Sequence, residues 1–528
     1  MKRKQIIFSA VSTLLAVTLL LSGCNTGNQT TNNKNIDLSS YPIKTDTELT
    51  YWMTLDANIA ASSKEFANTI FAQEIASRTG VKVKYIHPAM GQEAEAFSLM
   101  IASNELPDII EYNWAKALGG PSSSINDKII IPLNDLLPEY APSLNAFLKE
   151  NPDIDKMVKT DEGQYYVFPF IREDPYLSIP IGPIIRRDWL EELGLETPVT
   201  TADWENMLIQ FRDKKGAAAP LTATGLRYIL FLVGCTNEFY IDNGKVKFGP
   251  AEPEYKEGLT ILHRWFETGL LDKNYVSTDR TMQDANMLND KSGATLGAGG
   301  SGLGKWLETM APKNTSFDLV GVRYPIVKEG DKARFGPFES AYPMSNSAAI
   351  TTACKTPELA AKLLDYTYTE EGHILTNFGV EGKSFNYVDG YPTYSEIVTN
   401  NPDGLTMNQA LTIYSRANVE GPCINDKRYL EQFYAKPQQK EALNAWLESY
   451  DASMAALMPS VSLTPEESQD YANLYNEIQK CRDTMSVSFI SGVEPLSNFD
   501  KYIDQLKQLG LDKVLEIQQA AYDRYVKR

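Results

Sequence analysis

The sequence predicts an α/β protein with two separate α/β regions and a helix-rich C-terminal end. Three observations predict it. From Leu49 to Tyr112, short apolar runs and amphipathic stretches follow one another as β-α-β-α-β, the order of a sheet with parallel neighbours and helices on its faces. A second α/β region begins near Pro175. From Gln438 onward, helical spacing of apolar residues dominates. With 528 residues, the chain exceeds what one ordinary hydrophobic core holds, so two or more domains are expected.

The elements follow in order. Met1-Lys2-Arg3-Lys4 is basic, Ile6 to Leu21 is almost wholly apolar, and Leu21-Ser22-Gly23-Cys24 closes the run. Residues 1–23 therefore read as a secretory signal peptide. The run is shorter than the roughly 20 residues of a membrane span, and no later run is long enough either. A cysteine directly after the cut resembles the bacterial lipobox. That resemblance implies that Cys24 carries a diacylglycerol and becomes the mature N-terminus. Two acyl chains, at about 0.8 kcal/mol per buried methylene, give stable anchoring where one does not. Residues 24–45 are polar and expected to be a flexible tether, with structure beginning near Glu48.

Leu49–Met53 reads as a strand, and Ser63–Thr79 as a helix through Phe66, Ile70, Phe71 and Ile75, stopped by Gly80. Val81–Ile86 alternates as a strand, Glu93–Ser103 is helical, and Asp108–Tyr112 is a short buried strand. Ile130–Leu133 and Tyr165–Pro169 add extended pieces. In the second region, Arg187–Leu193 and Thr201–Phe211 read as helices, and Tyr255–Thr268 is amphipathic. Ala294–Leu296 is a strand that runs into a glycine-rich loop. Ala348–Ile350 is a strand, and a helix opens at Thr356-Pro357-Glu358. Helices are expected at Gln438–Ala456, Thr464–Thr484, Asn498–Leu509 and Leu511–Lys527, with Thr464-Pro465-Glu466-Glu467 as a cap.

Composition excludes some functions. A formal charge of −18 argues against nucleic acid and against a polybasic grip on lipid. Cys235, Cys354, Cys423 and Cys481 lie far apart, so no zinc spacing exists; disulfides and buried thiols both fit. The three histidines are scattered and no catalytic motif is present. His263 lies on an apolar helix face and reads as a hydrogen-bonded packing residue. Residues 297–306 contain both GxGxxG and GxxxxGK. Trp306 stands where a phosphate loop needs Ser or Thr, and no acidic residue follows where a dinucleotide site needs one. The loop reads instead as backbone donors for sugar hydroxyls or a uronate, with Ser301 among them; a plain tight turn is the alternative.

The chain resembles the extracellular substrate-binding lipoproteins of carbohydrate ABC importers, in the LplA-like or lipoprotein LipO-like subgroup. The likeness rests on Tyr165–Phe170, Arg187–Leu195 with Pro198–Trp204, Pro357–Tyr366 with Glu370-Glu371-Gly372, Asn377–Gly382, and the tail from Phe489–Gly492 to Asp523-Arg524-Tyr525. It implies a two-lobed type II periplasmic-binding-protein-like fold with a hinge and an inter-lobe cleft. The lobes are placed at 46–168 plus 340–385 and at 170–335 plus 390–528. Many members carry a calcium-type loop after the Trp204 helix; here it reads Arg212-Asp213-Lys214-Lys215, too poor in oxygen ligands, so no metal is expected there. No cofactor is expected either.

Sugar rings want flat apolar surfaces and fixed polar groups. Residues at strand carboxyl ends and at the crossings implied by the resemblance are the candidates: Trp52, Asn113, Trp114, Phe170, Ser301, Trp306 and Tyr342. Trp189, Trp204, Trp265 and Trp446 sit inside helical patterns and read as packing. The function so implied is capture of an oligosaccharide by a lipid-anchored receptor and delivery to ABC permease subunits, with no bond made or broken. A surface glycoside hydrolase or lyase, and an adhesive lipoprotein without small ligand, are the alternatives.

Overall fold

The computed structural model describes residues 36–528; the expected signal peptide and Cys24 lie outside them. Order begins earlier than the tether reading allowed. Ile43 is buried, and its N–H donates to the Thr79 carbonyl at 2.7 Å. The Tyr41 hydroxyl donates to the Lys362 carbonyl at 2.6 Å. Gly80, in the left-handed region, stops the helix Ile70–Thr79 and leaves room for the Ile43 backbone, which an added Cβ would meet at 2.2 Å.

The first sheet runs in the order Ser347–Ile350, Ile109–Tyr112, Glu48–Trp52, Lys82–Ile86. Its last three strands are parallel, as the βαβ pattern requires, and Ser347–Ile350 joins antiparallel from far along the chain. The helices Ile70–Thr79 and Glu93–Ser103 make the crossovers.

The second sheet runs Leu319–Gly321, Ile181–Arg186, Ala294–Ala298, Leu221–Thr222. Ile181–Arg186 is antiparallel to both neighbours and carries the sheet, although its sequence shows no strand alternation. Gly182 and Pro183 break its pattern for a packing reason. The Trp446 ring lies 2.3 Å from where a Gly182 Cβ would stand, and Trp446 Nε1 donates to the Pro183 carbonyl at 3.1 Å. Pro253–Glu267, Pro465–Ser491 and Leu511–Val526 pack beside this sheet's core. Thr464 and Glu467 form the reciprocal cap that the sequence promised. The segment expected as one helix over Gln438–Ala456 is two, Pro437–Leu447 and Tyr450–Ala456. Cys235, Cys354, Cys423 and Cys481 are free thiols.

Each sheet has its own hydrophobic core, and the cores place the crossings. Ile171 belongs to the first core and Leu177 to the second; Phe338 to the second and Tyr342 to the first; Ile424 to the first and Leu430 to the second. The chain therefore crosses at 172–176, 339–341 and 425–429. The expected third boundary near 385–390 is too early. Between Phe378 and Tyr414 lies a satellite core, and its helix Met407–Tyr414 packs on Ala57–Ser62 and Ile70–Thr79 of the first lobe. The segment after Phe385 therefore stays with the first lobe until the strand Cys423–Asn425.

Candidate functional site

The three crossings converge on Arg172. It ends the strand Phe170–Arg172, which pairs in parallel with Cys423–Asn425 so that Arg172 faces Asn425. Its N–H donates to the Ala341 carbonyl at 2.8 Å, on the second crossing. Its guanidinium pairs with Glu339 and lies 3.8 Å from Glu420. Burial pushes this guanidinium below its ordinary value, and Glu420 opposes that shift.

Beside Arg172 a cavity of about 140 Å³ opens between the lobes. Phe170, Asn418, Glu420 and Asn425 line it from the first lobe, and Tyr176 and Tyr434 face them from the second. Tyr429, on the third crossing, closes it. Burial pushes the Tyr429 hydroxyl up to about 12, so it remains protonated and able to donate. Flat rings and fixed polar groups thus meet at the base of the cleft, the composition a sugar ring needs.

Two buried networks hold this site. Glu111, on a strand of the first sheet, takes a bidentate pair from Arg416 at 2.7 and 3.0 Å and a hydrogen bond from Tyr51 at 2.7 Å. Burial disfavours the charge on Arg416, but the Glu111 carboxylate more than offsets this and holds Arg416 above its ordinary value. Arg416 also donates to the Glu420 carbonyl, fixing the loop that carries Asn418 and Glu420. Gly421 is bare because the Arg416 guanidinium lies 2.3 Å from where its Cβ would be.

The second network holds the third crossing. Asn377, fully buried, donates to the Ile424 carbonyl at 3.0 Å and accepts from the Asp426 N–H at 2.9 Å. Asp426 binds His373 at 3.0 Å and the Arg428 guanidinium. Burial would raise the Asp426 carboxyl, but the bonds from His373 and Arg428 win and hold it well below the usual range. The Asn377–Gly382 motif is thus a brace for the hinge. Similarly, His263 Nδ1 lies 3.0 Å from the Ile490 carbonyl, so His263 fastens the Phe489–Gly492 motif, in keeping with a packing role.

Most of the residues proposed from sequence lie elsewhere. Trp52 and Trp114 sit around the stacked pair Phe97–Tyr112, whose rings are 3.8 Å apart, and Trp114 Nε1 donates to the Ser347 carbonyl. Tyr342 is buried, with its hydroxyl 3.1 Å from that of Tyr166. Trp306 is 0% exposed and donates to Asp284 at 2.7 Å. Four of the five proposed rings are therefore core; for Trp52 and Trp114 the reason is that the carboxyl edge of the first sheet is itself capped by aromatic packing. Asn113, partly exposed, caps the turn Trp114–Lys116 by accepting the Ala115 N–H. Phe170 alone of the rings lines the cavity.

The glycine loop also needs correction. Gly299–Gly304 is a single wide helical turn feeding Lys305–Met310. A Cβ on Gly299 would meet the Tyr434 ring at 2.8 Å, and one on Gly300 would meet Phe433 at 2.9 Å. The glycines are there so that these rings can lie on the backbone, with the Gly299 carbonyl taken by Gln439. Ser301 is exposed on this loop, and its carbonyl accepts from Arg280. The Trp204 helix runs on to Lys215, so Arg212 and Asp213, expected in a loop, lie in its last turn, where Asp213 is held by Arg212 at 2.7 Å.

Three comparisons set the chain among known proteins. It is 25% identical over 98% of its length, and 98% of the relative's, to the fructooligosaccharide ABC transporter substrate-binding protein FusA of Streptococcus pneumoniae. It is 22% identical over 83% of its length, and 86% of the relative's, to lipoprotein LipO of Bacillus subtilis. Its fold matches an HMO-binding, ABC-transporter-associated solute-binding protein from Bifidobacterium longum infantis with a TM-score of 0.74, at 19% identity, over 92% of this chain and all of that one. The family model for bacterial extracellular solute-binding proteins matches residues 60–374, more than half of the chain. With its two lobes, three crossings and cleft, the chain belongs to the bacterial extracellular solute-binding protein family.

Proposed function

We propose that this protein is a lipid-anchored receptor on the outer face of the cell membrane. It takes an oligosaccharide into the inter-lobe cleft and hands it, unaltered, to the permease subunits of an ABC transporter. The observation that carries this reading is the cavity beside Arg172, built by both lobes at the point where the three crossings meet. A ligand there touches both lobes and so favours their closed arrangement over any open one by its differential contacts. FusA and the Bifidobacterium protein, which are named for oligosaccharides, support the sugar class. LipO supports the anchor at Cys24. Among the described residues, no helix is long and apolar enough to cross a membrane. Phe170, Tyr176, Asn418, Glu420, Tyr429 and Tyr434 are the proposed ligand contacts.

The test is incubation with a polysaccharide digest, followed by melting and by mass spectrometry of what is released. A glycan that raises the melting temperature and returns intact supports the receptor. Shortened product would make it an enzyme, and no shift with any glycan would leave it an adhesive lipoprotein. Separately, Cys24→Ser should abolish lipid labelling; normal labelling of that variant refutes the anchor.

A further inference from the structure

We infer that the cavity at the base of the cleft selects an uncharged sugar ring and rejects a uronate. This rests on the receptor reading above and narrows its ligand class.

Arg172 is the one cation lining the cavity among the described residues, and two carboxylates, Glu339 and Glu420, lie against it. Its guanidinium pairs with Glu339 and lies 3.8 Å from Glu420. Nearby Lys427 is likewise taken, by Asp174 at 3.0 Å. One cation and two carboxylates leave this end of the cleft negative. A sugar carboxylate entering here would be a third negative charge beside a single guanidinium, and burial strengthens its repulsion by Glu420 because the local dielectric is low.

The remaining polar groups point the same way. The Asn418 side chain is fixed: its Nδ2 donates to the Asn408 carbonyl at 2.9 Å and to Asn408 Oδ1 at 3.1 Å. That orients Oδ1 as an acceptor, and this buried atom has no donor in the protein. Asn418 lines the cavity together with the Glu420 carboxylate, a second acceptor. The unpartnered Asn418 Oδ1 asks for an O–H donor, which a sugar hydroxyl supplies and an ionised carboxylate does not. Phe170, Tyr176 and Tyr434 offer faces for the C–H side of the ring. Discrimination therefore combines a missing attraction with a standing repulsion, the form that specificity against a near-isosteric competitor takes.

The experiment uses the folded wild-type protein and two sets of oligosaccharides of equal length. One set is neutral (fructo-, gluco-, manno-, galacto- and xylo-oligosaccharides); the other is acidic (oligogalacturonate and oligomannuronate). Thermal shift selects binders, and calorimetry measures each. The expected result is that every binder is neutral, with any uronate at least about 100-fold weaker than the best neutral chain. Glu420→Gln should narrow that gap by about tenfold or more, because it removes the repelling charge and frees part of Arg172. Glu339→Gln provides the same release from the other side. A uronate that binds wild type as tightly as the best neutral chain overturns the inference and leaves the receptor standing. Absence of any binder in either set overturns the receptor reading, and the inference falls with it.

Discussion

Adding one methyl group to the glycine loop should separate packing from ligand chemistry. In Gly299→Ala the new Cβ stands 2.8 Å from the Tyr434 ring and 2.9 Å from its hydroxyl oxygen. An ordinary contact needs about 3.5 Å, so the ring must retreat by roughly 0.7 Å. Tyr434 is 6% exposed and belongs to the core of the second lobe, so retreat means overpacking, at about 1–3 kcal/mol. Alanine returns about 0.4–1 kcal/mol by restricting the unfolded chain, leaving a net loss of about 1.3 kcal/mol at the middle of the two ranges. Gly302→Ala is the control. Its Cβ finds nothing nearer than 3.4 Å, so only the unfolded-state gain remains and stability should rise slightly. Urea unfolding, followed by tryptophan fluorescence, measures both. Because Tyr434 lines the cavity, Gly299→Ala should also weaken glycan binding, while Gly302→Ala should not. Equal stability of the two variants would refute the claim that the loop is bare because rings rest on it.

Three further outcomes follow from the described contacts. Trp306→Ala should cost about 3–5 kcal/mol of stability by urea unfolding, since it empties a fully buried site, yet leave the affinity of the folded fraction nearly unchanged; a large affinity loss without destabilisation would return Trp306 to the cleft. Glu111→Gln leaves the Arg416 charge buried without its partner and should cost about 3–5 kcal/mol, whereas the pair Glu111→Leu with Arg416→Met should recover much of that; a single variant as stable as wild type would show that the pair holds nothing. Asp426 titrates lower in the folded chain than in the unfolded one. Its contribution is therefore complete above the ordinary aspartate value of about 3.9 and drains as pH falls through the depressed folded value. Asp426→Asn should lose stability at neutral pH and show a flatter acid limb; parallel acid limbs for the two proteins would contradict the assigned shift.

Local signals in the sequence were reliable where periodicity or capping carries the information. The helices Glu93–Ser103 and Arg187–Leu193 lie where their spacing puts them, and Thr464 caps with Glu467. Ile181–Arg186 was hidden because its glycine and proline answer to Trp446, a partner far along the chain. The tether boundary failed for a related reason: Ile43 is buried by Thr79 and Gly80, not by its own neighbours. The site was the least legible part. Its walls are crossing segments with no periodicity, and Arg172-Glu173-Asp174 reads as any solvated charge run until Glu339 and Glu420 arrive from elsewhere. In a parallel sheet, aromatic residues at strand ends face the ligand crevice unless other rings cover that edge. Phe97 and Tyr112 stack over that edge and absorb Trp52 and Trp114 into the core.

The meeting of three chain passages at Arg172 bears on how such receptors can be rebuilt. Swapping one lobe for that of a relative requires three simultaneous splices, at 172–176, 339–341 and 425–429. All three cuts fall within reach of one guanidinium whose partners come from different passages. A chimera therefore inherits a working joint only if Arg172, Glu339 and Glu420 travel as a set, and repertoire is more readily broadened by editing the walls around that joint than by trading whole lobes.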